Sequence, residues 1–462
     1  MIIHELTHLG KMKKLLFTLS TFVWSLSVMA ADYDLGSPFG FCTCSSRTEA
    51  ASTFDMNGGG WYAYPVPDDF AGKVIVLTSD GSDVDMKTVI LDGIKNYDVI
   101  ILDGSKGDFL VSSSISVTSS NKTIIGINHA RLCTQWHVTD DLKAALDAAG
   151  VPSMSTSSGG GMLPNGTSVT EQAEYNTRKI IIEMTGDNDE GYRKAGIFTL
   201  SGCHNIIIRN VSFVGPGSID VGGNDLISCI NSAKNCWVDH CDFTDGMDGN
   251  FDITKKSDFI TVSWCTFSYT DRSYMHQNTN LIGSSDSEAT GFLNTTFAFN
   301  WWGTGCRQRM PMARVGKIHM LNNYFSCTTA GNCINPRKNS EFLIEGNYFE
   351  KGVKKYYSQS GAKAVTWKSD NYIAEASSLP ASTGAEVTMP YTYTVAPYGD
   401  VPEVVKEKAG ATIFTDVSTD MSFSGRISES SSSLPFYSLS GQRVNDSYRG
   451  IVIQNGKKLI RR

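Results

Sequence analysis

What this 462-residue sequence has little of narrows it first. Its 40 Lys and Arg against 47 Asp and Glu give a net charge of −7. The basic residues form no run, so no global charge draws the chain to nucleic acid or an anionic membrane. Proline is scarce, 13 against 43 glycines, and with Asn, Ser and Thr abundant this suits a turn-rich β protein. The eleven cysteines lack any zinc-binding spacing: Cys42-Thr43-Cys44 is CxC and the rest are scattered. Cys203, Cys229, Cys236, Cys241 and Cys265 lie in apolar, strand-like stretches, so buried thiols are expected rather than disulfides. The apolar run at 15–28 is too short to span a bilayer, and no membrane span is expected. Following Lys13-Lys14 and preceding Met29-Ala30-Ala31, it reads as a secretory signal peptide over 12–31. Residues 1–11 are then an upstream extension or a misassigned start. That placement discounts His4-Glu5-Leu6-Thr7-His8, which fits the HExxH zinc pattern but leaves no room for a supporting helix.

The chain from 32 to about 135 alternates β-type segments, at 73–77, 99–102 and 121–126, with Gly- and Ser-rich turns. A short helix at 140–146 and a Ser/Gly-rich loop at 152–161 then read as an insertion on one face of the core. After it the pattern repeats. Phe243 to Phe267, Phe325 to Phe349 and Phe349 to Ile373 are each 24 residues, and an Asn recurs just before the aromatic, as in Asn323-Tyr324-Phe325 and Asn347-Tyr348-Phe349. A fixed period of this size signals a solenoid, and β-branched and aromatic runs make a parallel β-helix the best fit. Stacked coils would let the asparagine amides hydrogen-bond up the stack. A β-sandwich or propeller is the alternative. The Ser/Thr-rich stretch 413–433 reads as a linker, and 434–462 as a separate tail of short strands.

The chemistry concentrates between 235 and 316. Asp248 and Asp252, four residues apart, are expected on one face of one strand, a plausible start on a hard-cation site because Ca²⁺ takes several oxygen ligands in irregular geometry. Arg309 and Arg314 flank Pro311 and could hold an anionic substrate beside it. Together these suggest a metal-assisted reaction on an acidic polymer.

Trp237-Val238-Asp239-His240, Asp248-Gly249-Asn250-Phe251-Asp252-Ile253, Val262-Ser263-Trp264, Leu281-Ile282-Gly283 and Arg309-Met310-Pro311-Met312-Ala313-Arg314 resemble, in order and spacing, the signature of pectate lyases of polysaccharide lyase family 1. The likeness extends back to 121–126 and forward to 390–409. It implies an all-β chain, a right-handed single-stranded parallel β-helix with loop insertions, over 32–412. It also implies Ca²⁺ held by Asp225, Asp248 and Asp252 against the uronates of polygalacturonate or pectin. β-Elimination to 4,5-unsaturated oligogalacturonides would follow, with Arg309 as base and Arg314 binding substrate. Asp239 and His240 would support the core. The family commonly has His-x-Lys where this chain has His276-Gln277-Asn278. His276 and Asn278 stay as substrate contacts, with Lys255, Lys256 or Arg272 as nearby sources of the missing charge. The resemblance further implies a secreted monomer, and the tail looks like those that engage secretion or surface-attachment machinery in Bacteroidetes-type bacteria. Two alternatives stand: a polygalacturonase-type hydrolase working with two carboxylates, and a non-catalytic pectin-binding surface protein.

Overall fold

The computed structural model describes residues 36–48, 53–151, 169–185, 195–221, 225–417, 436–438, 443–444, 450–454 and 457–461. The signal peptide at 12–31, the segment before it, the 152–161 loop and most of the 413–433 linker lie outside the described residues. Short apolar strands pair in parallel from coil to coil into three sheets of ten, seven and nine strands. Each coil crosses the ten-stranded sheet, then the nine-stranded, then the seven-stranded, as in Lys234–Asp239, Asp242–Thr244 and Phe251–Ile253. This is a parallel β-helix. The strands Val99–Asp103 and Lys122–Ile127 are buried throughout, as continuous apolar runs in a parallel sheet require. Part of the ten-stranded sheet's outer face is covered by the turn Gly40–Thr43. There Phe41 N–H donates to Thr296 Oγ1 (3.0 Å) and Cys42 N–H to Thr261 Oγ1 (3.1 Å).

The 24-residue period is the coil. Phe243 pairs with Phe267, Phe325 with Phe349 and Phe349 with Ile373. Inside, the rings of Phe213, Phe243, Phe267, Trp302, Phe325 and Phe349 stack with successive centroids 5.1, 5.1, 5.3, 4.8 and 4.3 Å apart. All eleven cysteines are free and buried, as their apolar surroundings imply.

Beside the rings runs an amide ladder. Asn323 Oδ1 accepts from the N–H (3.0 Å) and Nδ2 (3.1 Å) of Asn300, Asn347 Oδ1 from Asn323 (2.9 and 2.9 Å), and Asn371 Oδ1 from Asn347 (2.9 and 3.0 Å). Each rung also donates to a carbonyl, Asn323 Nδ2 to Phe297 O at 2.9 Å. Removing one rung strands fully buried donors, and an orphaned buried polar group costs about 1–3 kcal/mol. Asn323→Ala is therefore expected to lose about 2–4 kcal/mol in urea unfolding. A loss below about 0.5 kcal/mol, the range of ordinary surface changes, would mean that the ladder contributes little.

The loops that carry Asp225, Asp248, His276 and Arg309 leave one corner of the coil, where the chain passes from the nine-stranded to the seven-stranded sheet. The insertion leaves there too, between Arg131–Thr134 and Phe198–Ser201. Its helices Asp140–Ala148 and Val169–Thr185 flank the neighbouring loops. Val138 N–H donates to Pro216 O (2.7 Å), Arg178 Nε to Val221 O (3.1 Å), and Tyr274 Oη–H to Asp147 Oδ1 (2.6 Å). The tail strands Phe436–Ser438, Arg443–Val444, Gly450–Gln454 and Lys457–Arg461 form their own antiparallel four-stranded sheet.

Candidate active site

Asp225, Asp248, His276 and Arg309 sit on four successive coils, each just ahead of its strand in the seven-stranded sheet: Ile227–Ile230, Phe251–Ile253, Leu281–Ile282 and Met312–Ala313. Register brings them together, with Ile227 on Phe251, Ile253 on Ile282 and Leu281 on Met312. Asp252 is on its strand, paired with Ser228. Asp248 is not. The expectation of both carboxylates on one strand face is corrected, because the chain bends at 246–250, where Asn250 Oδ1 accepts the Gly246 N–H at 2.9 Å, and the strand begins only at Phe251.

Gly249 lies between two of the acids. A Cβ there would be 2.7 Å from Asp252 Oδ1 and 2.8 Å from Asp225 Oδ1, so both oxygens line one point beside a residue that has no side chain. Asp225 Oδ2 accepts from Ser228 Oγ (2.7 Å), while its buried Oδ1 has no hydrogen-bond partner among the described residues. Asp252 Oδ1 accepts the Leu281 N–H at 2.9 Å. Burial and then the charge of Asp248 push the Asp225 carboxyl up to about 7. Burial and then the charge of Asp225 hold Asp252 well above the usual carboxylate range. The positive charge of Arg309 works against both shifts.

Asp248 is engaged elsewhere. Its Oδ1 is 2.6 Å from His276 Nε2, and Asp220 Oδ1 is 3.4 Å from His276 Nδ1. Burial disfavours the charged ring, but the hydrogen bond and charge of Asp248, with the charge of Asp220, outweigh it and raise His276 above the ordinary histidine value. Asn278, buried, has its Nδ2 2.8 Å from His276 Nε2, and its carbonyl accepts from the Tyr269 hydroxyl. Its amide thus faces the imidazole, where the lysine of the family pattern would carry charge. Among the described residues no three His, Cys, Asp or Glu side chains already converge as a metal-binding group.

The two arginines differ. Arg309 has φ +61°, a left-handed conformation uncommon for a residue with a side chain and a frequent mark of functional sites. Its guanidinium makes no hydrogen bond or ion pair with any described residue. Arg314 Nη1 donates to Gly283 O (2.6 Å), and its Nε is 3.2 Å from Asp286 Oδ1. Burial and then the charges of Arg309 and Arg337 lower its pKa from the ordinary arginine value. Of the other cations considered, Arg272 Nη1 donates to Gly215 O (3.0 Å) and Lys256 Nζ lies over the Phe292 ring (5.9 Å). Asp239 is buried, accepting from Arg209 Nε (2.9 Å) and Ser263 Oγ (2.6 Å), with His240 Nδ1 at 2.7 Å. That segment ties neighbouring coils together. Asp220, Asp286 and Lys338 were not singled out from sequence. Only the acid's place among apolar residues in Ser218-Ile219-Asp220-Val221 signalled the first.

The family model described as Pectate lyase matches residues 111–412. Pectate lyase A of Aspergillus niger is 34% identical over 219 residues, 45% of this chain and 63% of that protein. The pectate trisaccharide-lyase of Bacillus licheniformis is 28% identical over 256 residues, 53% of this chain and 71% of that protein. The chain thus spans less than two thirds of the length of the first of these. Among solved structures, pectate lyase Bsp165PelA from Bacillus sp. N165, in complex with trigalacturonate, matches with a TM-score of 0.50 at 19% identity, covering 82% of this chain and 100% of that one. At that identity the likeness is one of fold.

Proposed function

This chain belongs to the pectate lyase family, and on that premise we propose that it is a secreted, calcium-assisted lyase that cleaves polygalacturonate by β-elimination. The observation that carries the reading is the pair of carboxylate oxygens, Asp225 Oδ1 and Asp252 Oδ1, lining one point over Gly249, with the charge of Arg309 acting on both acids. The pair fits a hard cation: one oxygen is buried without a partner among the described residues, and burial with the charge of a neighbouring acid, Asp248 on Asp225 and Asp225 on Asp252, makes each resist ionising. Asp225 and Asp252 would hold Ca²⁺, with Asp248 joining once it turns from His276. When bound, calcium supplies Lewis-acid withdrawal of charge from the uronate carboxylate.

The protein's own residues do the rest. Arg309 takes the proton from C5 of the galacturonate, the C–H electron pair becomes the C4=C5 double bond as the C4–O4 bond breaks, and the departing O4 takes up a proton from water to leave the new chain end beside the unsaturated uronide. An arginine is ordinarily protonated, so this role needs surroundings that favour its neutral form. Arg314 orients the substrate carboxylate through its fork of donors. His276 and Asn278 border the same corner, and the insertion packs against its loops at 216–221 and 271–274. The leader at 12–31 supports secretion and the 434–462 tail supports sorting or attachment at the surface, with the chain a monomer. No helix among the described residues is long and apolar enough to cross a membrane.

De-esterified polygalacturonate is the test substrate. Product that absorbs in the ultraviolet is expected, because elimination leaves a conjugated double bond. Reducing ends released without absorbance would make the protein a hydrolase. Retention of pectin with neither signal would make it a binding protein.

A further inference from the structure

The seven-stranded sheet has a second row of loops, leaving the far ends of its strands. There Asp286, Arg314 and Lys338 follow Leu281–Ile282, Met312–Ala313 and Asn335–Pro336, three successive coils. Asp286 reaches over both cations: Oδ1 is 3.2 Å from Arg314 Nε and Oδ2 is 3.4 Å from Lys338 Nζ. We propose that Arg314 and Lys338 form a two-cation subsite for a uronate carboxylate, and that Asp286 fills it as an internal stand-in which substrate displaces.

Three observations carry this. One carboxylate already bridges the pair, so the spacing of the cations suits that group. The stand-in fits poorly, since the buried Arg314 Nε–H has no aligned acceptor among the described residues even with Asp286 3.2 Å away; a carboxylate free of the loop can meet the guanidinium edge more squarely. Asp286 is also easily released. Its side chain is 60% exposed, and its loop lies between Gly283 (φ +88°) and Gly291 (φ +89°), the latter with open space around it. The base of the loop is tied separately, by Glu288 accepting from Ser284 N–H (3.3 Å) and Oγ (3.1 Å) and from Lys256 N–H (3.2 Å). Asp286 can leave without unravelling the loop. Lys338 then supplies a substrate-facing cation in a chain whose Asn278 has replaced one.

The inference rests on the uronate reading above but is tested by binding rather than turnover. Trigalacturonate and its methyl ester are titrated calorimetrically into the full chain, as wild type, Asp286→Asn and Lys338→Gln, at low ionic strength. Asp286→Asn is expected to tighten trigalacturonate about two- to fivefold and Lys338→Gln to weaken it by a similar factor, the range of part-exposed ion pairs. The methyl ester should gain nothing from Asp286→Asn. An affinity unmoved by either substitution, or an equal gain for the ester, overturns the subsite even if the enzyme makes unsaturated product. The expected pattern without such product would uphold the subsite and remove the lyase reading. Absence of trigalacturonate binding by every variant would remove both.

Discussion

Arg309→Ala is expected to slow formation of unsaturated product by about 10²–10⁴-fold, the contribution typical of a positioned proton-transfer group. The guanidinium is the part at stake, because the backbone contact at this position, Asn280 N–H to Arg309 O at 2.7 Å, survives the change. Folding is expected to suffer little. Alanine at φ +61° costs only on the order of the 1–2 kcal/mol that any L-residue incurs there, and no side-chain bond to a described residue is lost. A thermal melt within a few degrees of wild type should accompany the loss of rate. Arg309→Lys tests the guanidinium itself: recovery to within about tenfold would show that a protonatable cation at this point suffices. A decrease of less than tenfold in Arg309→Ala would place proton abstraction elsewhere.

Asp252→Asn should have the next largest effect, with opposite signs on two properties. The amide can still accept the Leu281 N–H now bound by Asp252 Oδ1, so packing is kept while one acid is removed. Calcium binding, and the activity that depends on it, should fall at least tenfold. The calcium-free protein should become more stable at pH 8. Asp252 has a folded-state pKa raised above its unfolded value. Below the unfolded pKa both states hold the proton and nothing changes. As pH rises past it, the unfolded chain releases the proton first, so stability falls until the folded pKa is passed. For its partner Asp225 that window runs from about 4 to about 7. The variant should be more stable than chelator-treated wild type at pH 8 and equal to it near pH 4. Calcium should raise the stability of wild type and not of Asp252→Asn. Equal stability at both pH values, or undiminished calcium binding, would show that Asp252 is no part of a cation site.

The solenoid was legible because its period is written in large residues. Phe243, Phe267, Phe325 and Phe349 mark the same point of their coils, and the asparagines two residues ahead of Phe325 and Phe349 make the bonds that stacking allows. Register then explains why Asp225 and Arg309, 84 residues apart in the chain, influence one another: they are separated by coils, and neighbouring strands in a sheet lie only about 4.8 Å apart. What sequence spacing misplaced was local. Counting four residues put Asp248 on a strand, whereas the Gly246 to Asn250 bond bends the chain first. The engagement of Asp248 by His276 was hidden for a related reason, since it depends on the loop that returns from Phe267 toward Leu281. Asp286 and Lys338 were harder still. Each looks like an ordinary surface charge, and only the stacking of Leu281–Ile282, Met312–Ala313 and Asn335–Pro336 brings them to the same arginine.

The most direct test of the whole account is the ultraviolet absorbance developed on de-esterified polygalacturonate by the full chain, first with calcium and then with an excess of chelator. Absorbance that rises with calcium, stops on chelation and resumes when calcium is restored is the predicted result. Polymer cleavage that continues unchanged under chelator without absorbance would contradict it, and would turn Asp225 and Asp252 from cation ligands into the acid and base of a hydrolase.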